Sequence, residues 1–345
     1  MSLDSFRRRR PAYESLARKL EDLIQELLKD AGIDVIQVES RAKTVESFEG
    51  KLRRKSYADP LAEMTDLVGL RVITYYIEDV DEVEKILRAE FTVDEENSLD
   101  KAAQMDPDRF GYLSRHFVVQ LGASRSGLAE WRQYRDIKAE VQVRTALQHA
   151  WAAVNHKLEY KSSDEVPAQL RRGLSRLSAL FELADEQFSA FRRDSRAVTD
   201  QYRDQVEAGE RDLPLDADSL AVYLTEAPAV ARLADIAHRA EWRIVDLSPA
   251  VARDDIMRLS LRAGIRSIRQ LDELVPQDDE LLLRLYRTLR EVGKELRFAV
   301  DIDSEVGVLR DLLRVRLDNH HDGDRLGRVY AEVQRRMPEL VIRGD

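Results

Sequence analysis

Apolar residues recur at alternating steps of four and three from Leu170 onward: Leu170, Leu174, Leu177, Phe181, Ala184, Phe188 and Phe191, with Val198 and Tyr202 continuing the register. Only a long α-helix keeps such a series on one side, and the seam runs for about four heptads. It suits pairing with a second copy of the chain or packing against another helix of the same chain. The seam breaks at Ala208-Gly209-Glu210, and Leu213-Pro214 follows, so the helix stops there. Beyond it, residues 216–345 read as short helices. Ala263-Gly264-Ile265-Arg266-Ser267-Ile268 marks a tight junction between two of them, a shape shared by DNA-binding and purely structural domains. After Pro167 the only strand-like stretch lies around Ile244. Extended structure is therefore expected almost entirely in the first half.

That half alternates. The spacing predicts helices over 11–30, 41–55, 79–89 and 145–160, strands over 34–39, 67–76, 112–121 and 137–143, a short strand over 91–94 and a loop over 95–110. The expectation is an α+β fold, a mixed sheet flanked by helices, followed by an all-α region. The expected divisions are 1–165, a long helix over 166–210 and a helical domain over 211–345.

Charge and composition narrow the function. Among 345 residues, 65 Asp and Glu outweigh 55 Lys and Arg for a formal charge of -10. A broad nucleic-acid surface usually pushes the other way, which favours the structural reading of the helix junction. There is no cysteine. Disulfides, thiolate catalysis and cysteine-bound zinc are excluded, and a reducing, cytoplasmic setting is expected. No run approaches the ~20 apolar residues of a membrane span, and no apolar stretch follows Arg7–Arg10 as a signal peptide requires. No membrane partner is expected.

Four stretches carry chemistry. In the first, Arg41, Lys43, Ser47, Lys51, Arg54 and Lys55 crowd positive charge. Lys43, Ser47, Lys51 and Lys55 are four apart, so on a helix over 41–55 they share a face that repels itself unless a polyanion such as a nucleoside triphosphate sits on it. A solvated basic face is the plainer alternative. In the second, Asp66 precedes the apolar run Leu67-Val68-Gly69-Leu70-Arg71. A carboxylate at a strand entrance can hold a hard cation such as magnesium, or simply turn the chain. Gly69 allows close backbone approach, and Arg71 within an apolar run needs an anion or a path to water.

In the third stretch, Tyr112, Ser114 and His116 alternate onto one strand face, as a base-and-ribose platform or as ordinary hairpin residues. The fourth is Glu140-Val141-Gln142-Val143-Arg144-Thr145. Val141 and Val143 suit a core, while Glu140, Gln142 and Arg144 share the other face. By itself this reads as an edge strand with a solvated face, and as a charged-ligand site only in company. His149, His156 and Tyr160 on the following helix either border the same cleft or pack around Trp151. His320-His321 reads as surface loop.

Taken together, Arg41-x-Lys43-x-x-x-Ser47-x-x-x-Lys51, Asp66 to Arg71, Gly111-Tyr112-x-Ser114-x-His116, Glu140 to Thr145 and His156-x-x-x-Tyr160-Lys161 resemble, in order, the RelA/SpoT nucleotidyltransferase family of alarmone synthetases. The resemblance covers about residues 35–165. It implies a polymerase-β-like nucleotidyltransferase domain and a Mg2+-dependent pyrophosphokinase, which moves the β,γ-diphosphate of ATP to the 3′-hydroxyl of GDP or GTP and yields (p)ppGpp and AMP. By the same resemblance Asp66 and Glu140 are the catalytic residues and metal ligands. Arg41, Lys43, Ser47, Lys51, Arg54, Arg71 and Arg144 are ATP binders. Tyr112, Ser114, His116, Gln142 and His156 are acceptor contacts. No hydrolase domain precedes the motifs, so a stand-alone synthetase with a helical extension is expected, with a homo-oligomer through 170–202 as one possible assembly. The alternatives are a toxin-type relative acting on the tRNA 3′ end or on an adenosine nucleotide, and a non-catalytic nucleotide-sensing module. The presence of both Asp66 and Glu140 speaks against the last.

Overall fold

The structure, a computed structural model, describes residues 2–100, 114–157, 168–242, 249–296, 305–317 and 325–342. The chain divides into two compact units, Met1–Arg192 and Arg193–Asp345.

Unit 1 is built on a mixed sheet. Its strands are β1 (Val35–Ala42), β2 (Val68–Thr74), β3 (Phe91–Val93), β4 (Leu99–Asp100), β5 (Arg115–Leu121) and β6 (Ala139–Thr145). The order across the sheet is β1-β2-β6-β5-β3, with β4 also paired to β5. Only β2 and β6 run parallel; the β1–β2, β5–β6, β3–β5 and β4–β5 pairs are antiparallel. The helices are α1 (Ser2–Asp30), α2 (Val45–Arg54), α3 (Pro60–Glu63), α4 (Ile77–Glu90), α5 (Ala123–Ser126), α6 (Ala146–Lys157) and α7 (Ala168–Glu207), and the last runs past the boundary of the unit.

One face of the sheet is the core. Val68, Leu70 and Val72 of β2, Val141 and Val143 of β6, and Phe117, Val119 and Leu121 of β5 are buried with Leu16, Leu20 and Ile24 of α1 and Val83 and Leu87 of α4. Strand side chains alternate, so the residues between them emerge on the opposite face. Burying apolar area at roughly 25 cal/mol per Å2 makes this face the main source of the unit's stability.

Two boundaries differ from the sequence-based expectation for physical reasons. The first helix begins at Ser2, nine residues before Pro11. Phe6 anchors those extra turns by stacking on Phe48 of α2, with ring centroids 4.1 Å apart. The second helix starts only at Val45. Thr44 caps it, its hydroxyl accepting from the Ser47 N–H, while β1 continues to Ala42 because that residue still pairs with Val68. Arg41 is thus a strand residue, Lys43 lies in the connection and Lys55 is the C-cap. The expected four-residue ladder on one helical face does not exist.

Unit 2 holds the remaining helices: α8 (Ala217–Glu226), α9 (Pro228–Arg239), α10 (Pro249–Arg262), α11 (Ile268–Asp272), α12 (Asp279–Glu295), α13 (Glu305–Leu317) and α14 (Arg325–Arg336). Leu233, Ile256, Leu285, Tyr286, Leu312 and Val333 are fully or almost fully buried in one core. Trp242 Nε1 donates to the Tyr286 carbonyl at 2.7 Å inside it. The expected junction between helices is present: α10 ends at Arg262, and Gly264 takes φ +78° to turn the chain toward α11. The stretch around Ile244 and the pair His320-His321 lie outside the described residues.

Candidate active site

The face of the sheet opposite the core carries polar side chains in rows. Register pairs Glu39 with Arg71, Arg71 with Gln142, and Gln142 with His116. The next row runs Arg41, Gly69, Glu140 and Val118. Paired residues share a face, so six long polar side chains from four strands converge. They open onto a cleft of about 170 Å3 lined by Glu39, Ser40, Arg41, Asp66, Gly69, Leu70, Arg71, Glu140 and Gln142. The Arg41 side chain crosses the floor at Gly69, where a Cβ would meet it at an ordinary contact distance of 3.8 Å.

Asp66 stands in the turn before β2. Lys43 Nζ donates to its Oδ2 at 2.5 Å, and Lys51 Nζ lies 2.9 Å from Oδ1. Burial pushes this carboxyl up, but the two ammonium groups outweigh burial and hold it below the usual range. Two backbone ties place the lysine loop. Lys43 N–H donates to the Leu67 carbonyl at 2.9 Å, and Arg10 of α1 donates to the Lys43 carbonyl at 3.3 Å. The basic cluster is therefore real, but a carboxylate of the chain itself meets its charge.

Glu140 has a different partner. His116 Nδ1 lies 2.6 Å from Glu140 Oε1. Burial raises the Glu140 carboxyl and the bond from His116 lowers it, with a net fall, while the nearby Asp66 charge opposes ionisation. An ionised carboxylate only accepts, so the bond fixes a proton on Nδ1. His116 Nε2 is buried without a hydrogen-bond partner among the described residues. Arg71 donates to Glu39 in a close ion pair. Burial, then the positive charges of Arg144 and Arg71, push the His149 imidazole below its ordinary value.

The structure thus gathers Asp66, Glu140, Gln142, Arg41 and Arg71 around one cleft. Lys43 and Lys51 join through Asp66, and His116 through Glu140. It does not bring every expected residue there. Arg144 is on the same face one row farther along, beside Ile73, but is 4% exposed and does not line the cleft. Ser114 is buried, Ser47 bonds Thr44 at the start of α2, and Arg54 turns back to donate to the Gly50 carbonyl at 3.1 Å. Tyr112 and the His156 side chain lie outside the described residues. Glu39 is the cleft residue that sequence reasoning missed. Its signal was the alternation Gln37, Glu39, Arg41, visible only once β1 is carried to Ala42.

The arrangement suits a polyphosphate. Asp66 and Glu140, whose charges oppose each other, are the two cleft carboxylates that could hold a divalent cation together with substrate phosphates. The described residues contain no cluster of three or more metal-ligating side chains, so such an ion would rely on the phosphates for the rest of its shell.

The chain is similar to known proteins. The family model for the region found in RelA / SpoT proteins matches residues 40–165. GTP pyrophosphokinase YjbM of Bacillus subtilis is 34% identical over 160 residues, which cover 45% of this chain and 71% of that protein. The chain belongs to the RelA/SpoT family. A second relative, GTP pyrophosphokinase YwaC of Bacillus subtilis, is 28% identical over 188 residues, covering 53% of this chain and 86% of that protein. Among solved structures, the small alarmone synthetase 1 from Bacillus subtilis bound to its product pppGpp is 26% identical, with 56% of this chain and 99% of that one covered and a TM-score of 0.45. The family match stops at 165, whereas unit 1 continues to Arg192.

Proposed function

We propose that this RelA/SpoT family member is a pyrophosphokinase that transfers the β,γ-diphosphate of ATP to the 3′-hydroxyl of GDP or GTP, releasing AMP and forming (p)ppGpp. The observation that carries the reading is that Asp66, in the turn before β2, and Glu140, on β6 beside Gly69, line one cleft with Arg41 and Arg71, while Lys43 and Lys51 bond Asp66.

Attack of a ribose oxygen on the β-phosphorus of ATP needs alignment and relief of negative charge, and little covalent help from the protein. Mg2+ held by Asp66 and Glu140 would supply that relief on the triphosphate. Lys43 and Lys51 already lie on Asp66 and are within a side-chain swing of phosphates arriving there. Arg41 and Arg71 offer planar donors to the same oxygens. Glu140, held ionised by His116, is placed to accept the 3′-hydroxyl proton. Gln142 and His116 face the acceptor side, with Tyr112 as the stacking platform. In the same proposal Ser47, Arg54 and Arg144 are assigned to ATP and Ser114 and His156 to the acceptor, although Ser47, Arg54, Arg144 and Ser114 do not line the cleft.

A homo-oligomer through α7 belongs to the same proposal. Leu170, Leu177, Phe188 and Phe191 of its seam are exposed in the single chain, and apolar stripes of that length mark contact surfaces. Sedimentation of the full chain tests it: a monomer at micromolar concentration contradicts it.

The deciding assay offers γ-labelled ATP and Mg2+ with GDP, GTP, ATP or deacylated tRNA in separate reactions. Label in the guanosine nucleotides, with AMP released in equal amount, is the expected result. Label only in tRNA or only in the adenosine acceptor overturns the assignment of the acceptor, and no transfer to any of them overturns the enzyme.

A further inference from the structure

β2 and β6, the parallel pair under the cleft, end level with each other: Thr74 pairs with Thr145, and both are fully buried. Parallel strands leave a sheet at the same end. The chain leaves β2 through Tyr76 into α4 and leaves β6 directly into α6. One side of α7 reaches both exits. Thr145 Oγ1 donates to Asp185 Oδ2 at 2.7 Å. Two helical turns on, Arg192 donates to Asp79 at 2.6 Å and lays its guanidinium 4.3 Å from the centre of the Tyr76 ring. Ser178 and Ser189, on the same side of the helix, are also buried. The docked side of α7 thus carries buried polar residues, beside the half-buried Leu174, Phe181 and Ala184 of its seam.

The Thr145 hydroxyl has a second bond. It accepts from the Gln148 N–H at 3.2 Å, and Gln148 Oε1 accepts from the Thr145 N–H at 3.1 Å. This reciprocal cap starts α6. One hydroxyl thus joins the end of β6, the first turn of α6 and the side of α7. Asp185 is 2% exposed, and Thr145 is its one hydrogen-bond donor among the described residues. A buried carboxylate with a single neutral donor is a costly way to secure a helix, and an apolar contact of the same size would hold it more firmly. What the carboxylate adds is a fixed direction for the Thr145 hydroxyl.

We propose that Asp185 and Thr145 are positioning residues for the transfer reaction: their bond sets the exit of β6 and so the placement of Glu140 and Gln142 on the cleft floor. The proposal rests on the pyrophosphokinase reading. It makes the first half of α7 part of the synthetase, although the family match ends at residue 165. Glu140 lies five residues from Thr145 along a stiff strand, about 17 Å at ~3.3 Å per residue. A displacement of about 1 Å at a reacting group costs on the order of 100-fold in rate, so a small change at the exit suffices.

The test uses the full chain with Asp185→Ala, Thr145→Val, Asp185→Asn, Thr145→Ser and the double variant Asp185→Ala/Thr145→Val, assayed with ATP and GDP alongside hydrogen exchange of residues 140–148. Asp185→Ala and Thr145→Val are expected to lower kcat ~10- to 100-fold, with both KM values within about twofold. Asp185→Asn and Thr145→Ser keep an acceptor and a donor and should recover kcat to within about threefold, and the double variant should fall no lower than the more impaired single one. Exchange over 140–148 should quicken in Asp185→Ala and stay at the wild-type rate in Asp185→Asn. Wild-type kcat in Asp185→Ala, or an equal loss in Asp185→Asn, overturns the proposal. If the wild-type chain transfers no diphosphate, the functional reading fails by itself; unchanged exchange in Asp185→Ala then sinks the positioning role, and faster exchange upholds the bond as the tie that orders β6.

Discussion

Val141 and Glu140 are neighbours on β6, yet they serve opposite faces of one sheet. Val141 is fully buried, in a face made of aliphatic and aromatic side chains that need only the right size and shape. Glu140 faces a cleft in which each carboxylate has a chosen cationic or imidazole partner: Asp66 with Lys43 and Lys51, Glu39 with Arg71, Glu140 with His116. The first face makes the fold stable. The second holds charges that cost free energy to bury and are useful only when a polyphosphate arrives. Substitutions one residue apart should therefore separate stability from activity.

Asp66→Asn should separate them most widely. Diphosphate transfer should fall by about 1,000-fold or more, since the carboxylate both collects the lysines and would hold the metal. Steady-state assay with ATP and GDP checks this, and a loss under tenfold would break the distinction between the faces.

Asp185 gives the next effect, read in stability. Burial pushes its carboxyl from 3.8 up to about 6, against a smaller lowering by the Thr145 hydroxyl. The folded chain then holds this proton more tightly than the unfolded one. The contribution to stability is greatest below pH ~4 and declines as pH rises through about 6, reaching a cost of roughly 3 kcal/mol at neutral pH. Asp185→Asn should remove that decline and unfold later than wild type at pH 7 in urea, with the difference vanishing near pH 4. A less stable Asn variant at pH 7 would show that the charge is better compensated than the single bond suggests. The sign is opposite for Asp66, whose lowered carboxyl supports the fold above its ordinary range and ceases to do so as pH falls through the folded value.

Val141→Ala should cost about 2 kcal/mol of unfolding free energy, measured by urea denaturation, while kcat per folded molecule stays within about twofold. A large kcat loss there would blur the two faces. Arg54→Ala should have the smallest effect, a two- to threefold rise in KM for ATP, because Arg54 is exposed and bonded to its own helix.

The alternation of β6 was legible because one-residue periodicity records which face is buried, and so were Asp66 before an apolar strand and the long heptad helix. What was not legible depends on contacts far apart in sequence. Lys43 was placed on a helix because four-residue spacing looks the same in a helix and across a capped turn, and only Thr44 bonding to Ser47 distinguishes them. Arg144 follows the polar alternation yet is buried, since the pattern does not say what covers the end of a strand. Glu39 hid because β1 runs four residues beyond Val38, to Ala42. The tie between Thr145 and Asp185 spans 40 residues and has no local signature at all.

The most direct test of the central claim is Glu140→Gln, assayed for transfer of label from γ-labelled ATP to GDP and, in the same preparation, for thermal unfolding. The variant keeps the shape of the side chain and loses only its charge. Transfer reduced by about 1,000-fold or more, with a melting temperature within a few degrees of wild type, is the predicted result. Wild-type turnover in a folded Glu140→Gln protein would contradict it.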